Sequence, residues 1–186
     1  STMYTGTNWG LGDVWGASDS DSFAVGRGPV LGGGGSTWSA TNRASTSQLW
    51  GIWGSSSSNV LAVGVDWNTD NATLLHCDGN TWSNIGSRAT DLLHGVWGSS
   101  SSDAFVVGLD GAILHYDGST WDNMASGTKN WIASVWGSSA ADVFAVGESG
   151  TILHYDGSTW SSMGSGTTSP LKDAWGSSAA DVRAVG

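Results

Sequence analysis

The stretch Val135-Trp136-Gly137-Ser138-Ser139-Ala140-Ala141-Asp142-Val143-Phe144-Ala145-Val146-Gly147 leads, through Glu148-Ser149-Gly150, into Thr151-Ile152-Leu153-His154-Tyr155-Asp156-Gly157-Ser158-Thr159-Trp160. It recurs along the whole chain. Its first tryptophan returns as Trp15, Trp53, Trp97, Trp136 and Trp175, at spacings of 38, 44, 39 and 39 residues. Six residues after each stands Asp21, Asn59, Asp103, Asp142 or Asp181, and an apolar run follows. The second tryptophan returns as Trp38, Trp82, Trp121 and Trp160. A fixed period of this length marks a repeat architecture.

Each unit holds four apolar runs, typified by Leu171 to Trp175, Val143 to Val146, Thr151 to Tyr155 and Trp160 to Met163. The runs are short, rich in β-branched and aromatic residues, and bounded by Gly, Ser and Asp, which is how strands read. Asp156-Gly157 is a hairpin signal between the third and fourth runs. Four antiparallel strands in about 40 residues make the blade of a β-propeller. The expected fold is therefore all-β, one propeller domain over residues 1–186. The repeats are drawn at 1–38, 39–82, 83–121, 122–160 and a partial 161–186. Ser1-Thr2-Met3 aligns with Ser161-Ser162-Met163, and the chain ends after a second strand. The sequence thus predicts five blades, the last shared between the N- and C-termini. The alternative is a fragment of a larger propeller.

The period and the tryptophan placement resemble bacterial Trp-rich propeller repeats, in the style of Asp-box and photosystem-assembly-factor-like propellers. The resemblance covers the whole chain and implies architecture rather than activity. The Asp-box pattern itself is not met, because Asp156 and Gly157 are adjacent.

Composition narrows the function classes. Net charge is −10, with 6 basic and 16 acidic residues, which argues against nucleic acid and anionic membranes as partners. No apolar run approaches the roughly 18 residues of a spanning helix. Cys77 is the only cysteine, so an internal disulfide and a multi-cysteine metal site are excluded. The chain opens on Ser-Thr and reads as a processed or excised piece. Low charge with many Ser, Thr, Gly and Trp fits an extracellular or cell-surface bacterial protein.

Positions constant between units read as scaffold. Both tryptophan series are expected in the packing between blades, with Trp15, Trp53, Trp97, Trp136 and Trp175 more than mostly buried. His76, His115 and His154 occupy one strand position in successive blades, so they radiate apart and pair locally rather than converge on a metal. Asp78, Asp117 and Asp156 precede Gly in tight turns and read as turn-stabilising. Gly32 to Gly35 is an eroded third strand, not a phosphate loop. No nucleophile, acid/base pair, metal set or cofactor motif stands out, so no catalytic residue is assigned and no cofactor expected. A sialidase-like hydrolase would need an arginine cluster beside a Tyr/Glu pair, and the arginines are spread over different loops.

Variation between units is confined to two loops, from fourth to first strand and from second to third. In an antiparallel blade these emerge on one face. Trp9, Trp50, Trp67 and Trp131, the tryptophans outside both series, lie in or beside them, as do five of the six basic residues. Aromatics with a few donors on rigidly held loops suit a binding surface. The expected ligand contacts are Trp9, Trp50, Trp67, His94, Trp131 and Lys172. The expected function is a non-enzymatic, lectin-like or protein-binding recognition module whose ligand is a glycan or a protein. The alternative is a structural or assembly propeller that uses its incomplete blade for homo-oligomer contacts or strand donation.

Overall fold

The computed structural model describes residues 10–34, 37–41, 47–86 and 92–186. They form four complete antiparallel sheets and one hairpin. The first blade is β1 (Leu11–Ser18), β2 (Asp21–Gly26), β3 (Leu31–Gly34) and β4 (Thr37–Ala40). The second is β5 (Ser47–Ser56), β6 (Asn59–Asp66), β7 (Asn71–Cys77) and β8 (Trp82–Asn84). The third is β9 (Leu93–Ser100), β10 (Asp103–Gly108), β11 (Ile113–Tyr116) and β12 (Trp121–Asn123). The fourth is β13 (Ile132–Ser139), β14 (Asp142–Gly147), β15 (Ile152–Tyr155) and β16 (Trp160–Met163). The fifth holds β17 (Asp173–Ser178) and β18 (Asp181–Val185). Among the described residues the only helical segments are 3-10 turns at Leu109–Gly111 and Glu148–Gly150. The fold is the all-β propeller read from the repeat. The predicted N-terminal contribution to the fifth blade, Ser1 to Tyr4, lies outside the described residues, as does Trp9.

The second strand of each inner blade is covered on both faces, which explains its continuous apolar run. Val106 of β10 packs with Leu61 and Val63 of the preceding blade, while Phe105 and Val107 face Leu153 and Tyr155 of the next. The core is thus a series of interfaces between stacked sheets. Fully burying a residue such as Leu114 there is worth about 2 kcal/mol. Cys77 is buried in one such interface as a free thiol.

The constant residues hold the frame together. Each of the first four tryptophans of the series lies over a glycine of the following blade. A β-carbon at Gly54, Gly98, Gly137 or Gly176 would fall within 2.8 Å of the ring of Trp15, Trp53, Trp97 or Trp136 respectively. Real β-carbons do not approach that closely, so the invariant glycine of Val-Trp-Gly is a seat for the neighbour's indole. The expectation that this series is more than mostly buried needs correction at Trp175. Trp15, Trp53, Trp97 and Trp136 are mostly covered, each by the blade that follows it. Trp175 is 60% exposed, because among the described residues no following blade covers it.

The histidines and aspartates behave as local pairs. His115 Nε2 lies 2.7 Å from Asp103 Oδ1 and His154 Nε2 2.7 Å from Asp142 Oδ1, while His76 meets Asn59 at 2.8 Å. In the turns, Asp117 Oδ1 accepts the N–H groups of Ser119 and Thr120, and Asp156 Oδ1 those of Ser158 and Thr159. Gly157, at φ +93, supplies the left-handed step that such a turn requires. Gly32 and Gly33 do lie in a third strand, β3.

Candidate functional site

The first strands of all five blades surround one cavity of about 270 Å³. Two rings of residues line it. The outer ring is Gly12, Trp50, His94 and Lys172, with Ala133 completing it; the inner ring is Asp13, Gly51, Gly95, Ser134 and Asp173. Within each ring the five positions are equivalent in the repeat, three and two residues before the first-series tryptophan.

A repeated backbone irregularity aims these residues inward. The pairing of first and second strands skips one residue between Leu11 and Asp13, Leu49 and Gly51, Leu93 and Gly95, and Ile132 and Ser134. The skipped residues are Gly12, Trp50, His94 and Ala133. A β-bulge leaves its extra residue outside the ladder and re-aims the side chain, a device common beside functional sites. In the four complete blades it delivers two successive residues to the channel. Blade closure holds the geometry: Lys172 N–H donates to Val185 O at 2.7 Å.

Aromatic contacts link three of the predicted residues. Trp50 stacks on His94 with centroids 5.5 Å apart and planes at 19°, and Trp131 meets His94 in a T-shaped contact at 4.8 Å. The His94 Nδ1–H donates to Ala133 O in the next blade at 2.8 Å. Burial pushes the His94 pKa below its usual value, partly opposed by that carbonyl and by Asp13. The imidazole is therefore neutral at pH 7.

The floor of the cavity is polar. Asp13 Oδ1 accepts Val14 N–H at 2.8 Å and Asp13 Oδ2 accepts Ile52 N–H of the next blade at 2.9 Å. Burial raises the Asp13 pKa against these two donors, and Asp173 across the cavity raises it further. Ser134 Oγ donates to Asp173 Oδ1 at 2.8 Å, again from one blade to the next. These inner residues tie neighbouring blades together at the axis while facing the cavity.

Of the residues predicted from sequence, Trp50, His94 and Lys172 line this cavity, and Trp131 supports it through His94. Trp67 stands apart. It is 51% exposed and carries Arg27 over its ring at 5.5 Å. Sequence reasoning missed Asp13, Ser134 and Asp173. Their signal was present: the residue before Val14-Trp15, Ile52-Trp53, Val96-Trp97, Val135-Trp136 and Ala174-Trp175 varies among Asp, Gly and Ser inside an otherwise constant motif.

No family model matches the chain, and no curated protein does. Solved structures do. A structure of YCF48 bound to D1 peptide superposes with a TM-score of 0.70 at 18% identity over 91% of this chain. YCF48 from Cyanidioschyzon merolae gives a TM-score of 0.67 at 19% identity, also over 91%. The chain spans 58% and 61% of the lengths of those two proteins. At such identities the likeness establishes the propeller fold.

Proposed function

We propose that this protein is a non-enzymatic, protein-binding propeller of the recognition or assembly type, and that it takes a segment of a partner protein at the channel mouth. The observation that carries this reading is the convergence of Trp50, His94 and Lys172 from three blades. They occupy one repeat position, which at Trp50 and His94 is the extra residue of a bulge, and the side chain changes from blade to blade. The mouth offers an aromatic wall, a neutral imidazole and an exposed ammonium above a floor of carboxylates, which suits the mixed polar and apolar surface of a peptide. The peptide held by the structurally similar YCF48 supports a protein ligand for this architecture. A glycan gains less support, because stacking on a sugar needs open ring faces. Trp50 has one face on His94 and Trp67 one face under Arg27.

The test is selection of peptides from a random display library on the immobilised protein, followed by calorimetry. Selected peptides should bind, and Trp50→Ala and Lys172→Ala should each weaken binding about tenfold or more, a loss of about 1.4 kcal/mol. Peptides indifferent to both substitutions, or binding of glycans alone, would overturn the proposal.

A further inference from the structure

A cavity of about 320 Å³ lies between blades two and three and shares no residue with the channel cavity. Its origin is written in the repeat. In the interfaces on either side, a phenylalanine packs in one cluster with a valine of the following blade: Phe23 with Val60, and Phe105 with Val143. Between blades two and three the same two positions hold Leu61 and Ala104. Both are smaller, and the aromatic ring is lost. Asn59 also stands here where the other units carry Asp21, Asp103, Asp142 and Asp181.

The neighbouring interface shows what the missing ring occupied. Phe105 is boxed by four rings. It stacks on His115 at 4.3 Å and on Trp97 at 6.4 Å, and it meets Tyr155 at 5.4 Å and Trp160 edge-on at 5.9 Å. The equivalents of those four, His76, Trp53, Tyr116 and Trp121, all line the cavity. They have not closed in on it. Tyr116 and Trp121 keep centroids 5.2 Å apart with planes at 30°, against 5.3 Å and 33° for Tyr155 and Trp160. His76 stays anchored, with Nε2 2.8 Å from Asn59 Oδ1, against 2.7 Å for His115 and Asp103. A site that loses a ring without relaxing keeps the lost contacts open as a cavity.

We propose that this cavity binds a small, uncharged ligand with a single aromatic ring, of the phenol type. The ring takes the place that Phe105 holds one interface on, against the same four aromatic walls. Its polar substituent faces the polar end of the cavity, formed by Asn59, Ser101 and Ser119. Asparagine at 59 keeps the hydrogen bond to the histidine while removing the aspartate's charge from the wall, which suits a neutral ligand.

The probe is phenol, with cyclohexanol as the saturated-ring control, titrated into the full chain and followed by amide and indole NMR. Phenol should shift the signals of Leu61, Ala104 and Trp121 and bind with a Kd of about 1 mM or tighter. Cyclohexanol should bind about tenfold or more weakly. Leu61→Phe with Ala104→Val restores the pair that the flanking interfaces carry. That variant should melt about 2–4 °C higher and lose phenol binding. Leu61→Phe alone should weaken binding about tenfold. No shift at about 10 mM phenol would overturn the proposal, as would equal binding of cyclohexanol. So would phenol binding undiminished by Leu61→Phe, or shifts centred on His94 and Gly95, which would place the ligand in the channel instead.

Discussion

Trp136 lies over Gly176 of the next blade so closely that a β-carbon at that glycine would sit 2.6 Å from the indole edge. The same contact joins Trp53 to Gly98 and Trp97 to Gly137, so it is the repeating joint of the structure. Gly98→Ala should therefore destabilise the fold by about 1–3 kcal/mol through overpacking. At Gly164 a β-carbon meets nothing within 4 Å, and Gly164→Ala should change stability by less than about 0.5 kcal/mol. Chemical denaturation of the two variants checks the contrast. Equal effects would deny the joint.

The tryptophans of one series should differ in energetic weight. Trp97→Ala removes a mostly covered ring wedged on Gly137 and should cost roughly 2–4 kcal/mol, somewhat under the value for a fully buried indole. Trp175→Ala removes an exposed ring and should cost under about 1 kcal/mol. Thermal denaturation of both variants measures the difference.

Acid should destabilise the protein through its turns. Backbone donors from Thr120 and Thr159, with Ser119 and Ser158, lower Asp117 and Asp156 to about 2. A carboxyl whose folded pKa is depressed contributes stability that is complete above its unfolded value near 3.8 and is lost as pH falls through the folded value. The melting temperature should thus fall as pH drops from about 4 to about 2. Asp117→Asn and Asp156→Asn together should flatten that slope.

His94 should titrate below 6.5, since burial disfavours its charged form. By the same linkage the stability it supports is full above 6.5 and is lost as pH falls through its lowered pKa. Nitrogen-detected NMR of the imidazole ring follows this directly. A His94 pKa at or above 6.5 would contradict the buried stack with Trp50.

Much of this structure was legible in the sequence because the repeat compares the chain with itself. Period, turn residues and apolar runs gave the blades, and the two variable loops pointed to Trp50, His94 and Lys172, part of the cavity lining. Two things were not legible. The first is the bulge at Trp50 and His94: a one-residue skip leaves the apolar pattern of the strand intact, so it becomes visible only once the partner strand is in place. The same skip brings Asp13 and Ser134 to the axis. The second is the burial of the tryptophans. The run from Trp136 to Val143 is identical to that from Trp175 to Val182, and it says nothing about whether a following blade is there to cover the ring.

The most direct test of the account is amide hydrogen exchange on the protein bound to a peptide selected for it. The account predicts protection of residues 47–52, 92–96, 131–134 and 171–174, the first-strand entries around the channel mouth. Protection confined to the Asp-Gly turns at 78–81, 117–120 and 156–159, on the opposite face, would contradict it.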